Sequence, residues 1–138
     1  MTTPANTARA TKRWKAAVGT VEYQGHTSAI DYQPNYSGTT WKGGDNNTIA
    51  DVTPGDPQIT ITMAQDTENA ESLYRIIDDS PAGTEIELKW YPHYDGDYFK
   101  TVKFKTVKLP LTTNRAGGTP EISQQFPCSE AVSGSDGA

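Results

Sequence analysis

"SLYRIIDDSPAGTEIELKWYP", residues 72–92, sets the fold class. It reads as a short helix, a sharp stop and an amphipathic strand. Ala70, Leu73, Tyr74 and Ile77 fall at i, i+3, i+4 and i+7, one apolar stripe on a helix of about residues 67–79. Asp66 or Thr67 can cap that helix, and Glu68 and Glu71 lie in its first turn, where the helix dipole favours negative charge. Pro81 forbids continuation, and Gly83 permits the left-handed turn after it. Beyond the turn, Thr84, Ile86, Leu88 and Trp90 share one face, with Glu85, Glu87 and Lys89 on the other.

Upstream, "QITITMAQ" (58–65) alternates Ile59, Ile61 and Met63 with Thr60 and Thr62, the pattern of a half-buried strand. Before it lies "PNYSGTTWKGGDNNTIADVTPGDP" (34–57), dominated by Pro, Gly, Asn and Asp. Those residue types predict a long loop with Trp41 stranded in its middle, and loops of such length tend to be functional or disordered. Residues 15–25 hold a first strand around 18–23, expected to pair across Gly25 with a second at 26–33. Residues 1–13 are small, polar and basic, an unpacked arm in the free chain.

Downstream, Asp95 and Gly96 mark a hairpin turn. The return strand, "YFKTVKFKTVKLPL", slips phase: Val102 and Phe104 face one way, Val107 and Leu109 the other. A straight strand cannot bury both pairs, so a bulge, a bend near 105–106 or a passage between sheets is predicted. Residues 112–120 form a loop, "EISQQFPCS" a last strand, and 131–138 a flexible tail. The chain is thus expected to be mainly β (α+β), with one flanking helix and a single domain over 14–130.

With 138 residues there is material for one core, although hydrophobic residues make up only 34% of the chain. Part of the surface is therefore expected to await a partner. The net charge of −5 argues against wrapping around nucleic acid, which needs clustered Lys and Arg. Cys128 stands alone, so no disulfide can form within the chain. Neither a signal-peptide core nor a membrane-length apolar run is present, and a soluble protein of a reducing cytoplasm is expected. On that basis the sequons at Asn35 and Asn46 carry no glycan.

Catalytic and metal chemistry fare poorly. His93, Asp95 and Asp97 make an H-x-D-x-D pattern, but turn residues explain it better than a metal site. "DNNTIAD" (45–51) lacks the Gly and terminal Glu of a calcium loop. Cys128 has no base nearby in sequence, and the Gly43-Gly44 and Gly117-Gly118 pairs lack a phosphate-binding context. No enzyme, cofactor or metal is expected. The basic cluster Arg9, Lys12, Arg13 and Lys15 is too sparse for DNA and better suited to an acidic neighbour, a copy of the chain itself.

The order strand, short helix "SLYRIIDDSPAG", strand "GTEIELKWYP", hairpin, then "RAGGTPEIS" resembles the major tail tube proteins of long, non-contractile-tailed (siphovirus-type) bacteriophages. The likeness covers roughly residues 40–126, including "TTWKGGDNNTIADVTPGDPQITIT" as the family's long loop. It implies a compact β-sandwich, barrel-like and flanked by the helix, in a structural virion protein assembled in the bacterial host cytoplasm. Hexameric rings would stack into a tube that conducts double-stranded DNA without specific binding. Implied partners are further copies, a tape-measure protein and tail-tip or terminator proteins; no membrane is involved. Trp41, Lys42, Gly43, Gly44, Asp45, Asn46, Asn47 and Asp51 would form the inter-ring loop. Arg9, Lys12, Arg13 and Lys15 would contact a neighbour, and the Ala70, Leu73, Tyr74, Ile77 stripe would plug the sandwich. Alternatives are a capsid-decorating protein, a tail-terminator ring, or a carbohydrate-binding domain that stacks sugars on Trp41, Tyr94 and Tyr98.

Overall fold

The computed structural model describes residues 2–115 and 117–137. Ten strands and one α-helix follow in order: β1 (Lys15–Val18), β2 (Val21–Glu22), β3 (Thr27–Gln33), β4 (Ser37–Lys42), β5 (Thr48–Thr53), β6 (Gln58–Ala64), α1 (Leu73–Asp78), β7 (Glu85–Tyr91), β8 (Tyr98–Lys105), β9 (Glu121–Pro127) and β10 (Val132–Ser135). Every strand pairing is antiparallel. A five-stranded sheet has the order β10-β8-β7-β1-β2, a three-stranded sheet β3-β6-β9, and β4 and β5 form a hairpin of their own. The fold is mainly β with one flanking helix.

The inner faces of the two larger sheets meet in one core. Ala16, Leu88, Val102 and Phe104 come from the five-stranded sheet, and Ile59, Ile61, Met63, Ile122 and Phe126 from the three-stranded one. The Phe104 and Phe126 rings are tilted against each other at a centroid distance of 4.9 Å, the point where the sheets lock. The α1 residues Leu73, Tyr74 and Ile77 enter the same core.

The helix is shorter than its periodicity predicts. Asp66 Oδ1 accepts the N–H groups of Glu68 and Asn69, and Asn69 Oδ1 accepts that of Glu71. These side chains satisfy the backbone in turns, so helix formation waits until Ser72. Ser72, fully buried, is the cap: its Oγ accepts from Arg75 N at 3.2 Å and donates to the Asp66 carbonyl at 2.7 Å. Ala70 therefore lies outside the helix and is exposed, a correction to the four-residue stripe.

Other expectations shift as well. The chain turns at Gly19, with φ +63°, so β1 pairs with β2 and β7. The next strand, β3, joins β6 in the other sheet after a 3-10 turn at Gln24–His26. No strand pair forms across Gly25. The phase slip resolves by termination: β8 ends at Lys105, and Thr106 is buried with its Oγ accepting Thr84 N at 3.0 Å and donating to the Pro81 carbonyl at 2.9 Å. The chain then wraps the end of α1, where Leu109 N donates to Asp78 Oδ1 and Tyr74 donates to the Pro110 carbonyl. Passage between sheets does occur, but in the last strand. After β9, Cys128 bridges to Phe104 and the chain continues as β10 on the edge of the five-stranded sheet.

Strand β10 corrects the expected free tail. Gly134 lies against Phe99, where a Cβ would come within 2.5 Å of the ring. The Tyr91 hydroxyl donates to Asp136 at 2.5 Å, and Lys89 lies 3.6 Å from the same carboxylate. The hydrogen bond from Tyr91 and then the charge of Lys89 hold the Asp136 carboxyl below its usual range.

Two predictions follow from this packing. Phe126→Ala should cost about 3–5 kcal/mol in urea denaturation, against about 0.5 kcal/mol or less for the exposed Leu111 changed to Ala. Because the Asp136 pKa is depressed on folding, the β10 clasp should be complete above about pH 4 and loosen as pH falls through the lower, folded value. The Gly134 amide and Phe99 ring signals in NMR should report a midpoint below about pH 4, and Asp136→Asn should abolish that titration.

Candidate assembly surface

The 34–57 segment, expected as a loop, is a hairpin of two six-residue strands, β4 and β5, in register from Ser37↔Thr53 to Lys42↔Thr48. All twelve strand residues are exposed, and neither strand packs substantially on any other element. Trp41 is 63% exposed, with Ile49 and Val52 nearly the same. Alternation puts Trp41, Ile49, Thr39 and Asp51 on one face, and Thr40, Ala50 and Val52 on the other.

The tip is built from the expected turn residues. Asn46 takes the left-handed conformation, φ +70°, and the Asp45 carboxylate accepts both N and Nδ2 of Asn47. The Gly43 N–H donates to the Asn47 carbonyl, and the Gly43 carbonyl accepts the Asn46 N–H. Trp41 lies over Gly43, where a Cβ would come within 3.2 Å of the indole. Gly44 and Lys42 complete the tip and are exposed. Glycine at 43 thus lets the indole fold along the tip.

The base is fixed. Asn35, φ +57°, donates through Nδ2 to the Asp56 carbonyl at 2.7 Å, and a Cβ on Gly55 would fall 1.7 Å from the Asn35 carbonyl oxygen. Only glycine fits there. Tyr36 donates to Glu130 at 2.7 Å, tying the base to the β9–β10 crossing. That bond is the main reason the Tyr36 pKa is raised.

The basic residues cluster at one corner. Arg9 pairs with Asp95 at 2.7 Å, and Arg13 lies 4.8 Å from the Tyr94 ring centroid while its carbonyl accepts Tyr94 N. Arg9 is the main cause of the lowered Asp95 pKa. Lys15 belongs to β1, over Tyr91 and near Glu22. Lys12 is exposed, with no hydrogen bond or ion pair among the described residues. Within one chain, then, Arg9 and Arg13 engage the β7–β8 turn, and the exposed Arg9–Asp95 pair is screened by water and adds little stability.

Of the aromatics considered for sugar stacking, Trp41 is on the hairpin, Tyr94 carries Arg13, and Tyr98 hydrogen-bonds Ser133. Cys128 is half-buried, and burial pushes its thiol pKa up, away from reactivity. Among the described residues, no three His, Cys, Asp or Glu side chains group to hold a metal, and no helix is long and apolar enough to cross a membrane.

Sequence reasoning missed the hairpin although a signal was present. "SGTTWK" and "TIADVT" are equal arms rich in Thr, Trp, Ile and Val around a Gly-Gly-Asp-Asn-Asn turn. Gly55→Ala should destabilise the hairpin base by about 1–3 kcal/mol. Limited proteolysis would show it as faster cleavage within 37–53, with the core left intact. In comparison with known proteins, no family model matches the chain, and no curated protein does either.

Proposed function

We propose that the chain is a wall subunit of the tail tube of a long, non-contractile-tailed phage. Copies close into rings, hexameric by the resemblance, and the rings stack around a channel for DNA. A tape-measure protein and tail-tip or terminator proteins are its virion partners. One observation carries the reading: an ordered, base-clamped hairpin whose two faces are both in water. An isolated two-stranded hairpin is marginal at best, and one bearing Trp41, Ile49 and Val52 in the open is suited to burial against another molecule.

Charge distribution supports the same reading. None of the residues in β3, β6 or β9 is Lys or Arg, whereas the five-stranded sheet carries Lys15, Lys89, Lys100, Lys103 and Lys105. The outer face of the three-stranded sheet runs in rows Ala29–Thr62–Ser123 and Asp31–Thr60–Gln125. Neutral hydroxyls and amides with a few carboxylates give passing phosphates hydration but no counter-charge, so DNA would slide rather than stick. The outer edges of β2 and β3 are available for pairing between copies.

Concentrating the purified protein and imaging it by negative-stain electron microscopy tests the proposal. Hollow tubes are expected. Replacement of residues 37–53 by a short Gly-Ser linker should leave a folded protein that no longer polymerises. Isolated trimers or single rings would point instead to a decoration or terminator protein. A chain that stays single at every concentration and with its virion partners would overturn the assignment.

A further inference from the structure

We infer that the Trp41 face of the β4–β5 hairpin of one copy seats in the cleft between Trp14 and Tyr94 of another copy. The inference rests on the assembly reading and deepens it by naming both halves of one contact. The cleft, about 500 Å³, is lined chiefly by Lys12, Arg13, Trp14, Gly25, Thr27 and Tyr94. Its two walls are held in place: Trp14 Nε1 donates to Thr27 Oγ1 at 3.0 Å, and Arg13 stacks on Tyr94. Among the described residues, no carboxylate lines it and neither Lys12 nor Arg13 has an ion-pair partner, whereas neighbouring Arg9 is already neutralised by Asp95. The cleft is therefore an aromatic slot with two uncompensated cations at its rim.

The hairpin presents the complement. Trp41 and Ile49 are directly opposed in the register, and Asp51 stands on the same face, opposite Thr39. Among the described residues, the Asp51 carboxylate accepts the adjacent Val52 N–H and makes no ion pair. Seating the indole among Trp14, Tyr94 and the Arg13 guanidinium gives apolar burial and a cation–π contact. Asp51 then meets Lys12 and Arg13 in charge-assisted hydrogen bonds. Since the two surfaces differ, the contact is head-to-tail, and repetition of such a contact propagates rather than closing a two-fold dimer.

Charge-swap variants of the full chain test this by sedimentation velocity across a concentration series, with circular dichroism as the check on folding. Trp41→Ala should weaken self-association about thirtyfold or more. Lys12→Glu with Arg13→Glu should weaken it about tenfold. Adding Asp51→Lys to that double variant should recover part of the loss. Unchanged association of the double variant, or no recovery on adding Asp51→Lys, would overturn the contact even if wild-type protein forms tubes. Wild-type protein that never associates would overturn both the contact and the tail-tube reading.

Discussion

The contact between the inner faces of the two sheets, centred on Phe104 and Phe126, is where the rest of the structure is anchored. Each sheet alone would leave one apolar face in water, and only their mutual burial stabilises both. Leu73, Tyr74 and Ile77 of α1 and Tyr23 join this layer, with partly buried residues such as Ile30, Ile86 and Trp90 packed around it. Among the described residues, the hairpin carries three of the large hydrophobic side chains left in water, Trp41, Ile49 and Val52.

Local pattern was legible where a single face is buried. The alternation in β6 and β7 specified strand, register face and core residues, because a one-residue slip would have moved Ile59, Ile61 and Met63 into solvent. The Leu73, Tyr74, Ile77 part of the stripe was equally clear. The hairpin escaped because its side chains do not alternate between core and solvent, so the usual periodicity is missing. The helix start was misjudged because Asp66 and Asn69 can serve turns as readily as caps. Pairing between distant strands, such as β3 with β6 or β10 with β8, depends on tertiary packing and leaves little trace in either segment alone.

The two outer faces divide the charge unequally, and in the proposed tube they have different neighbours. Three of the five lysines on the five-stranded sheet are paired locally among the described residues, Lys105 with Glu85, Lys89 with Asp136 and Lys15 with Glu22. The three-stranded sheet instead has cross-strand hydroxyl and amide contacts, Thr62 with Ser123 and Gln125 with Gln58. Such groups bind water well and hold polyanions weakly. The candidate surface was legible from sequence only as a position, Trp41 in a polar stretch. Its shape as a two-stranded hairpin came from the backbone.

Gly55 nested against Asn35, with Tyr36 anchored on Glu130, makes the root of the hairpin a stiff joint. Two six-residue strands give it a reach of roughly 20 Å. A prong set at one angle by its root acts as a ruler rather than a tether. Every subunit that uses it would meet the next at the same spacing, and the regularity of any lattice built from this chain would be written into a single glycine.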